Sequence, residues 1–137
     1  MPKTKVRAYP QALLKQMAQT SGLILKARSL VAMGMPELAC SAWLAAAAGE
    51  EQAAPYLETL DRPQEAAVHR ISAASCYQNA GELARAINLY RAALAGPLPE
   101  HTREETEQLL SVCLAQLARS ANGNARTRKR GDNKSSK

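Results

Sequence analysis

The chain contains no phenylalanine, a single tryptophan and four tyrosines, so aromatic residues make up only 4% of its 137 residues. A core built on large rings is therefore excluded, and the hydrophobic gain per residue is modest. Strand formers are scarce as well: isoleucine occurs only as Ile24, Ile71 and Ile87, and valine and threonine are scattered. Alanine is the commonest residue, which favours helices that approach closely. Cys40, Cys76 and Cys113 form no C-x-x-C spacing. Their odd number argues for buried free thiols in a reducing compartment, not a disulfide framework. No apolar stretch follows the basic N-terminus as a secretory signal requires, and the longest apolar run, residues 42–48, is too short to span a bilayer. The expectation is a cytoplasmic protein without a membrane segment.

Catalytic signatures are missing too. There is no phosphate-binding glycine loop, no H-E-x-x-H and no nucleophile elbow. Asp61 and Asp132 are the only aspartates, and the glutamates fall mostly on helix starts, where the helix dipole accounts for them. No enzyme, metal or cofactor is expected. His69 and Cys76 share a helix face but lack two further ligands at metal spacing. They read as a surface histidine and a buried thiol, and His101 has no evident partner.

Charge is divided along the chain. Residues 1–28 hold six basic residues and no acid, residues 29–118 hold five basic and eleven acidic, and residues 119–137 hold seven basic and one acidic. The net charge of +6 thus hides an acidic body between two basic ends.

What the sequence does contain is a repeat. Ile24, Ala27, Leu30, Gly34, Ala39, Trp43, Ala46 and Gly49 recur 47 residues later as Ile71, Ala74, Tyr77, Gly81, Ala86, Tyr90, Ala93 and Gly96. Each unit reads as two amphipathic helices broken at a glycine, the pattern of stacked helical hairpins. Trp43 and Tyr90 take equivalent core positions between the helices of each hairpin.

The spacing predicts at least six helices and no sheet. Residues 1–9 are expected to be flexible. Helices follow from Pro10 to about Thr20, where Thr20-Ser21-Gly22 makes a kink or a turn, and from 23 to 33. Further helices run from Pro36 to a stop at Gly49, from 51 to 60, from 64 to 80 and from 82 to 95. Thr102 and Glu105 have capping-box spacing for a last helix ending near Arg119. Its polar first turns fit a terminal cap. Residues 120–137 contain no apolar residue larger than alanine and read as a disordered basic tail.

The second unit resembles a tetratricopeptide repeat (TPR), whose pattern is W-x2-L-G-x2-Y, then A-x3-F, then Pro. Ala74, Tyr77, Gly81, Ala86, Tyr90 and Ala93 stand at matching positions, and Pro97 and Pro99 flank the expected proline. Arg70 and Ala73 replace the family's Trp and Leu. The first unit keeps Ala27, Leu30, Gly34, Ala39, Trp43 and Ala46 but has no following proline. The 47-residue spacing exceeds the family's 34, and the extra residues supply the helix at 51–60. A TPR-like solenoid of the attachment-protein type, with longer or additional helices, fits as well.

The resemblance covers about residues 20–120. It implies an all-α, TPR-like α-solenoid over residues 10–119, with repeat units at about 23–49 and 64–96 and a C-terminal capping helix. In that family the first helix of each repeat lines the groove. The resemblance therefore places Ser21, Ile24, Arg28, Val31 and Ala32 on the partner surface, with Val68, Ile71, Ser75, Gln78 and Asn79. The family's Lys/Asn clamp for terminal carboxylates is absent; a groove of this composition suits an apolar or mixed helix. The function implied is a non-catalytic scaffold or adaptor for a protein or peptide, with a second copy of the chain among the candidate partners. The alternative is a polyanion- or nucleic-acid-binding accessory protein that uses Arg126, Arg128, Lys129, Arg130 and Lys134 of the tail for phosphate contact. No aromatic residues interleave these cations, so base stacking is not supported.

Overall fold

The computed structural model describes the backbone of residues 8–135 and the side chains of residues 8–123. The described residues are all-helical, without a strand. The helices are α1 (Gln11–Ala32), α2 (Pro36–Thr59), α3 (Pro63–Asn79), α4 (Leu83–Leu94) and α5 (Glu100–Ser135). The expected flexible start lies outside the described residues except for residues 8 and 9, and Tyr9 is not loose: its hydroxyl donates to the Glu65 carboxylate.

Among the described residues five helices stand where six or more are expected, because two anticipated breaks are absent. α1 runs through Thr20-Ser21-Gly22 without a turn. Gly22 is exposed there and costs the helix only about 1 kcal/mol relative to alanine. Gly49 does not end α2. A Cβ at Gly49 would overlap the Thr20 Oγ1 of α1, so the missing side chain lets the two helices approach. Pro55 also lies inside α2, on its exposed side, where one ladder hydrogen bond is forfeited.

The connections repeat more faithfully than the helices. Gly34 lies in the left-handed region at φ 78°, and the Met35 N–H reaches back to the Leu30 carbonyl at 2.8 Å. Forty-seven residues on, Gly81 has φ 86° and the Glu82 N–H reaches the Tyr77 carbonyl at 2.9 Å. A third copy joins α2 to α3: Asp61 has φ 62°, and the Arg62 N–H meets the Leu57 carbonyl at 3.0 Å. In each, the six-to-one bond satisfies a carbonyl left free by the helix end. Pro36 and Pro63 follow two residues after the first and third of these turns, each at a first helical position where a missing N–H is harmless.

The principal packing is between successive helices: α1 on α2, α2 on α3, α3 on α4 and α4 on α5. The main core joins Ala27, Ala39, Trp43, Ala46, Tyr77, Ile87, Tyr90 and Cys113 with further alanines. Each alanine methyl adds little, on the order of 0.8 kcal/mol, so the core depends on close helix approach over a long seam. A smaller cluster gathers Leu13, Leu57, Leu60 and their alanine neighbours, with Tyr9 and Met17 against it. Repeat-equivalent positions share environments: Ala27 and Ala74, Ala39 and Ala86, and Ala46 and Ala93 are all fully buried. Trp43 and Tyr90 are 7% and 0% exposed, as core positions should be.

The last helix departs most from expectation. It is 36 residues long and continues well past Arg119. Residues 120–135, read from the sequence as disordered, are helical in backbone; residues 136 and 137 lie outside the described set. Extending an existing helix needs no new nucleus, and Ala, Arg and Lys are good helix formers. Nor is the outer face the polar one a cap requires, since Leu109, Val112, Leu114 and Leu117 remain exposed.

Candidate partner-binding surface

α1 and α3 carry the residues expected to line a groove, and the structure separates them into distinct groups. Arg28, Val31 and Ala32 near the end of α1 come together with Asn79 at the end of α3. With Pro36 and Trp43 of α2 they line an open depression of about 430 Å³. Arg28, Val31, Ala32 and Asn79 are all exposed. The surface therefore offers apolar contact from Val31 and Ala32, a carboxamide and one guanidinium.

The other candidates go elsewhere. Val68 is exposed but lines a second depression of about 330 Å³, with Tyr9, Gln64, Glu65, His69, Pro99 and Thr102. Ile24 and Ile71 pack against the main core, half-buried, and serve the hairpins more than a groove. Gln78 is spent on structure: its Oε1 accepts from the Tyr90 hydroxyl at 2.7 Å and its Nε2 donates to Gln116 Oε1 at 2.5 Å. One carboxamide thus links α3, α4 and α5. Ser75 lies beside Tyr90, and burial holds that phenol above its ordinary pKa. Ser21 is exposed on α1 and lines neither depression.

Polar pairs tie α3 to Tyr9, ahead of α1, and to the later turns of α2. Tyr9 donates to Glu65 at 2.7 Å, Arg62 pairs with the same carboxylate at 3.1 Å, and the Arg62 guanidinium stacks 4.1 Å from the Tyr9 ring centre. The Tyr77 hydroxyl donates to Glu51 at 2.9 Å, and Arg70 pairs with Glu58. His69 is not a free surface residue: its Nδ1 meets Glu50 Oε2 at 2.5 Å, with both side chains largely covered. His101 also has a partner, Glu105, at 2.6 Å on an exposed face. Glu50, Glu51 and Glu58 lie in the later turns of α2 and not on a helix start, because α2 does not stop at Gly49.

Burial favours the neutral form of two of the thiols. Cys76 is buried, and desolvation pushes its thiol up to about 11, with the Glu50 carboxylate adding to the rise and Arg28 opposing it. Cys113 is raised by burial alone. Cys40, Cys76 and Cys113 are all free thiols. Among the described residues no group of three or more His, Cys, Asp or Glu could hold a metal ion, and no helix is long and apolar enough to cross a membrane.

The side chains of Arg126, Arg128, Lys129, Arg130 and Lys134 lie outside the described set; their backbone belongs to α5. Sequence reasoning missed Pro36 and the rim of Trp43 at the first depression, and the Tyr9–Arg62–Glu65 cluster at the second. The proline two residues after Gly34 was the available signal for Pro36, whereas Tyr9 and Glu65, 56 positions apart, left none. Comparison with protein-family models, curated proteins and solved structures returns no match.

Proposed function

We propose that this chain is a non-catalytic protein–protein interaction module, a TPR-like scaffold or adaptor whose α1–α3 face receives a helical or peptide segment of another protein. The observation that carries the reading is the depression lined by Arg28, Val31, Ala32 and Asn79, between the first helices of two equivalent hairpins. Equal turns at Gly34 and Gly81 and equal burial at the repeat positions support a solenoid-like stack. Three unpaired thiols suit a reducing, cytoplasmic setting.

A photo-crosslinking amino acid at Val31, compared with one at the exposed Ser41 of α2 outside the depression, tests this in the cells that make the protein. The expected result is a discrete protein adduct from position 31 only, lost with Arg28→Glu. No adduct at 31, or equal adducts at both positions, would remove the depression as a partner surface.

A second reading rests on the basic stretch of α5, which carries six cations between Arg119 and Lys134. As a polyanion-binding element it would show affinity falling steeply with salt.

A further inference from the structure

The turn at Gly34 leaves large apolar side chains in solvent. Every residue from Val31 to Leu38 is exposed, Val31 by 46%, Met33 by 64%, Met35 by 42% and Leu38 by 63%. The turn itself does not require them. Its copy 47 residues later has the same positive-φ glycine and the same six-to-one bond, yet carries Gln78, Ala80, Glu82 and Arg85 at those four places. The copy at Asp61 carries Glu58, Leu60, Arg62 and Glu65, and its one leucine is buried. Apolar groups left in water add nothing to the stability of a turn, so a cluster of them at one copy alone points to a contact.

This apolar strip is continuous with the depression between α1 and α3. Pro36 lines that depression and also a second one of about 440 Å³, shared with Met35, Glu37 and Leu38. Charge sits at the two ends of the strip, with Arg28 in the first depression and Glu37 in the second.

Arg28 differs from the other arginines of the helical body. Arg62 and Arg70 are held by carboxylates, Arg103 by the Leu94 carbonyl, and Arg85 stands over the Tyr77 ring. The Arg28 guanidinium makes no hydrogen bond or ion pair among the described residues, and the Asn79 carboxamide in the same depression makes no hydrogen bond among them either. Together the two groups offer enough N–H donors for both oxygens of one carboxylate. At the other end of the strip Glu37 repels a second acid, so the strip has a direction.

We infer, on the reading of the Val31 depression as a partner surface, that its occupant is an acidic–apolar segment of another protein. Large apolar side chains of that segment rest on Val31, Met35, Pro36 and Leu38. A side-chain carboxylate is held by Arg28 and Asn79, and no acid faces Glu37. The flexible thioether of Met35 adapts to the apolar groups, while the planar guanidinium selects the carboxylate. A basic segment would set like charge against Arg28, and a purely apolar one would cover the guanidinium without pairing it.

The test is selection of a random peptide library on the immobilised full chain. The library is displayed with its C-termini fused, so every carboxylate it offers belongs to a side chain. Enriched peptides are expected to combine large apolar residues with Asp or Glu at one fixed position. A synthetic enriched peptide should lose affinity by about tenfold or more on Arg28→Glu. It should lose as much on Val31→Gln/Met35→Glu, which installs the side chains of the second unit's turn; circular dichroism melts check that both variants stay folded. Changing the peptide's acid to lysine should reverse the preference, so that the Arg28→Glu chain binds it better than the unaltered chain. Peptides that depend on Val31 and Met35 but carry no fixed acid, or that ignore Arg28→Glu, would overturn the acidic–apolar occupant and leave the depression as a partner surface. Peptides indifferent to both variants, or no enrichment, would remove the partner surface as well. Binding to phosphatidylserine vesicles that is lost on Val31→Gln/Met35→Glu, with no peptide enriched, would overturn both and make a lipid surface the occupant.

Discussion

Replacing Gly49 with alanine places two effects in opposition at one position. In an exposed helix interior the change gains about 1 kcal/mol from reduced backbone entropy loss. Here the new Cβ would overlap the Thr20 Oγ1 of α1 and stand 3.5 and 3.6 Å from the Thr20 Cβ and Cγ2. The threonine has little freedom to yield. It is 4% exposed, and its hydroxyl donates to the Gln16 carbonyl at 3.0 Å. Rotating it would forfeit that hydrogen bond in a buried position. Overpacking of this kind costs about 1–3 kcal/mol, so the net expectation is a loss of about 1 kcal/mol. Gly22→Ala, in the same helical state but with nothing within 4 Å of the added methyl, should instead gain about 1 kcal/mol. Thr20→Ala removes the obstruction, so the double variant Thr20→Ala/Gly49→Ala should be more stable than the two single changes sum to, by about 1–2 kcal/mol. Urea unfolding of the wild type and these four variants, followed by far-ultraviolet circular dichroism, measures all of this. The reasoning fails if Gly49→Ala stabilises as much as Gly22→Ala, or if the cycle shows no coupling.

Two further outcomes follow from the turns and the buried thiol. Asp61 occupies the left-handed region at φ 62°, so Asp61→Gly should raise stability by about 1 kcal/mol while Gly34→Ala lowers it by a similar amount. Thermal melts with equal signs for the two changes would contradict that account. The Cys76 thiol is shifted from its ordinary 9.0 to about 11, chiefly by burial, so the unfolded chain ionises first. Stability from this group is then complete below pH 9.0 and is lost as pH rises through about 11. Tyr77, Tyr90 and Cys113 are raised too and act in the same direction. Urea midpoints should fall across that window, and Cys76→Ala should make the fall shallower; an unchanged slope would show that this thiol is not the cause.

How much of this was legible in the residues depends on how local each signal is. The hairpin turns at Gly34 and Gly81 were readable because only glycine takes that backbone freely, and the pair lies at the repeat distance. The equivalent turn at Asp61 was hidden because an aspartate carries it; the proline two residues later was its only trace. Gly49 was misread as a helix end because a missing side chain serves a turn and a close contact equally well. The extent of α5 escaped because residues 120–135 have no apolar face, and continuation of a helix depends on what precedes it. At the candidate surface, Arg28, Val31, Ala32 and Asn79 were named only through the resemblance, and the structure brings these four together at one depression. Gln78, Ile24 and Ile71 were assigned to it as well, since nothing in their own helices announces that α5 claims the first and the hairpin cores the others.

The order of packing has its own consequence. Each helix rests mainly on those next to it in the chain, while ties such as Tyr9 to Glu65 and Gln78 to Gln116 skip a helix. Contacts of short sequence separation close quickly, because little chain entropy is lost in bringing them together. They also make the hairpin the natural unit of growth. Lengthening the stack requires only a further pair of helices added at the exposed flank of α5, with the contacts from α1 to α4 left as they are.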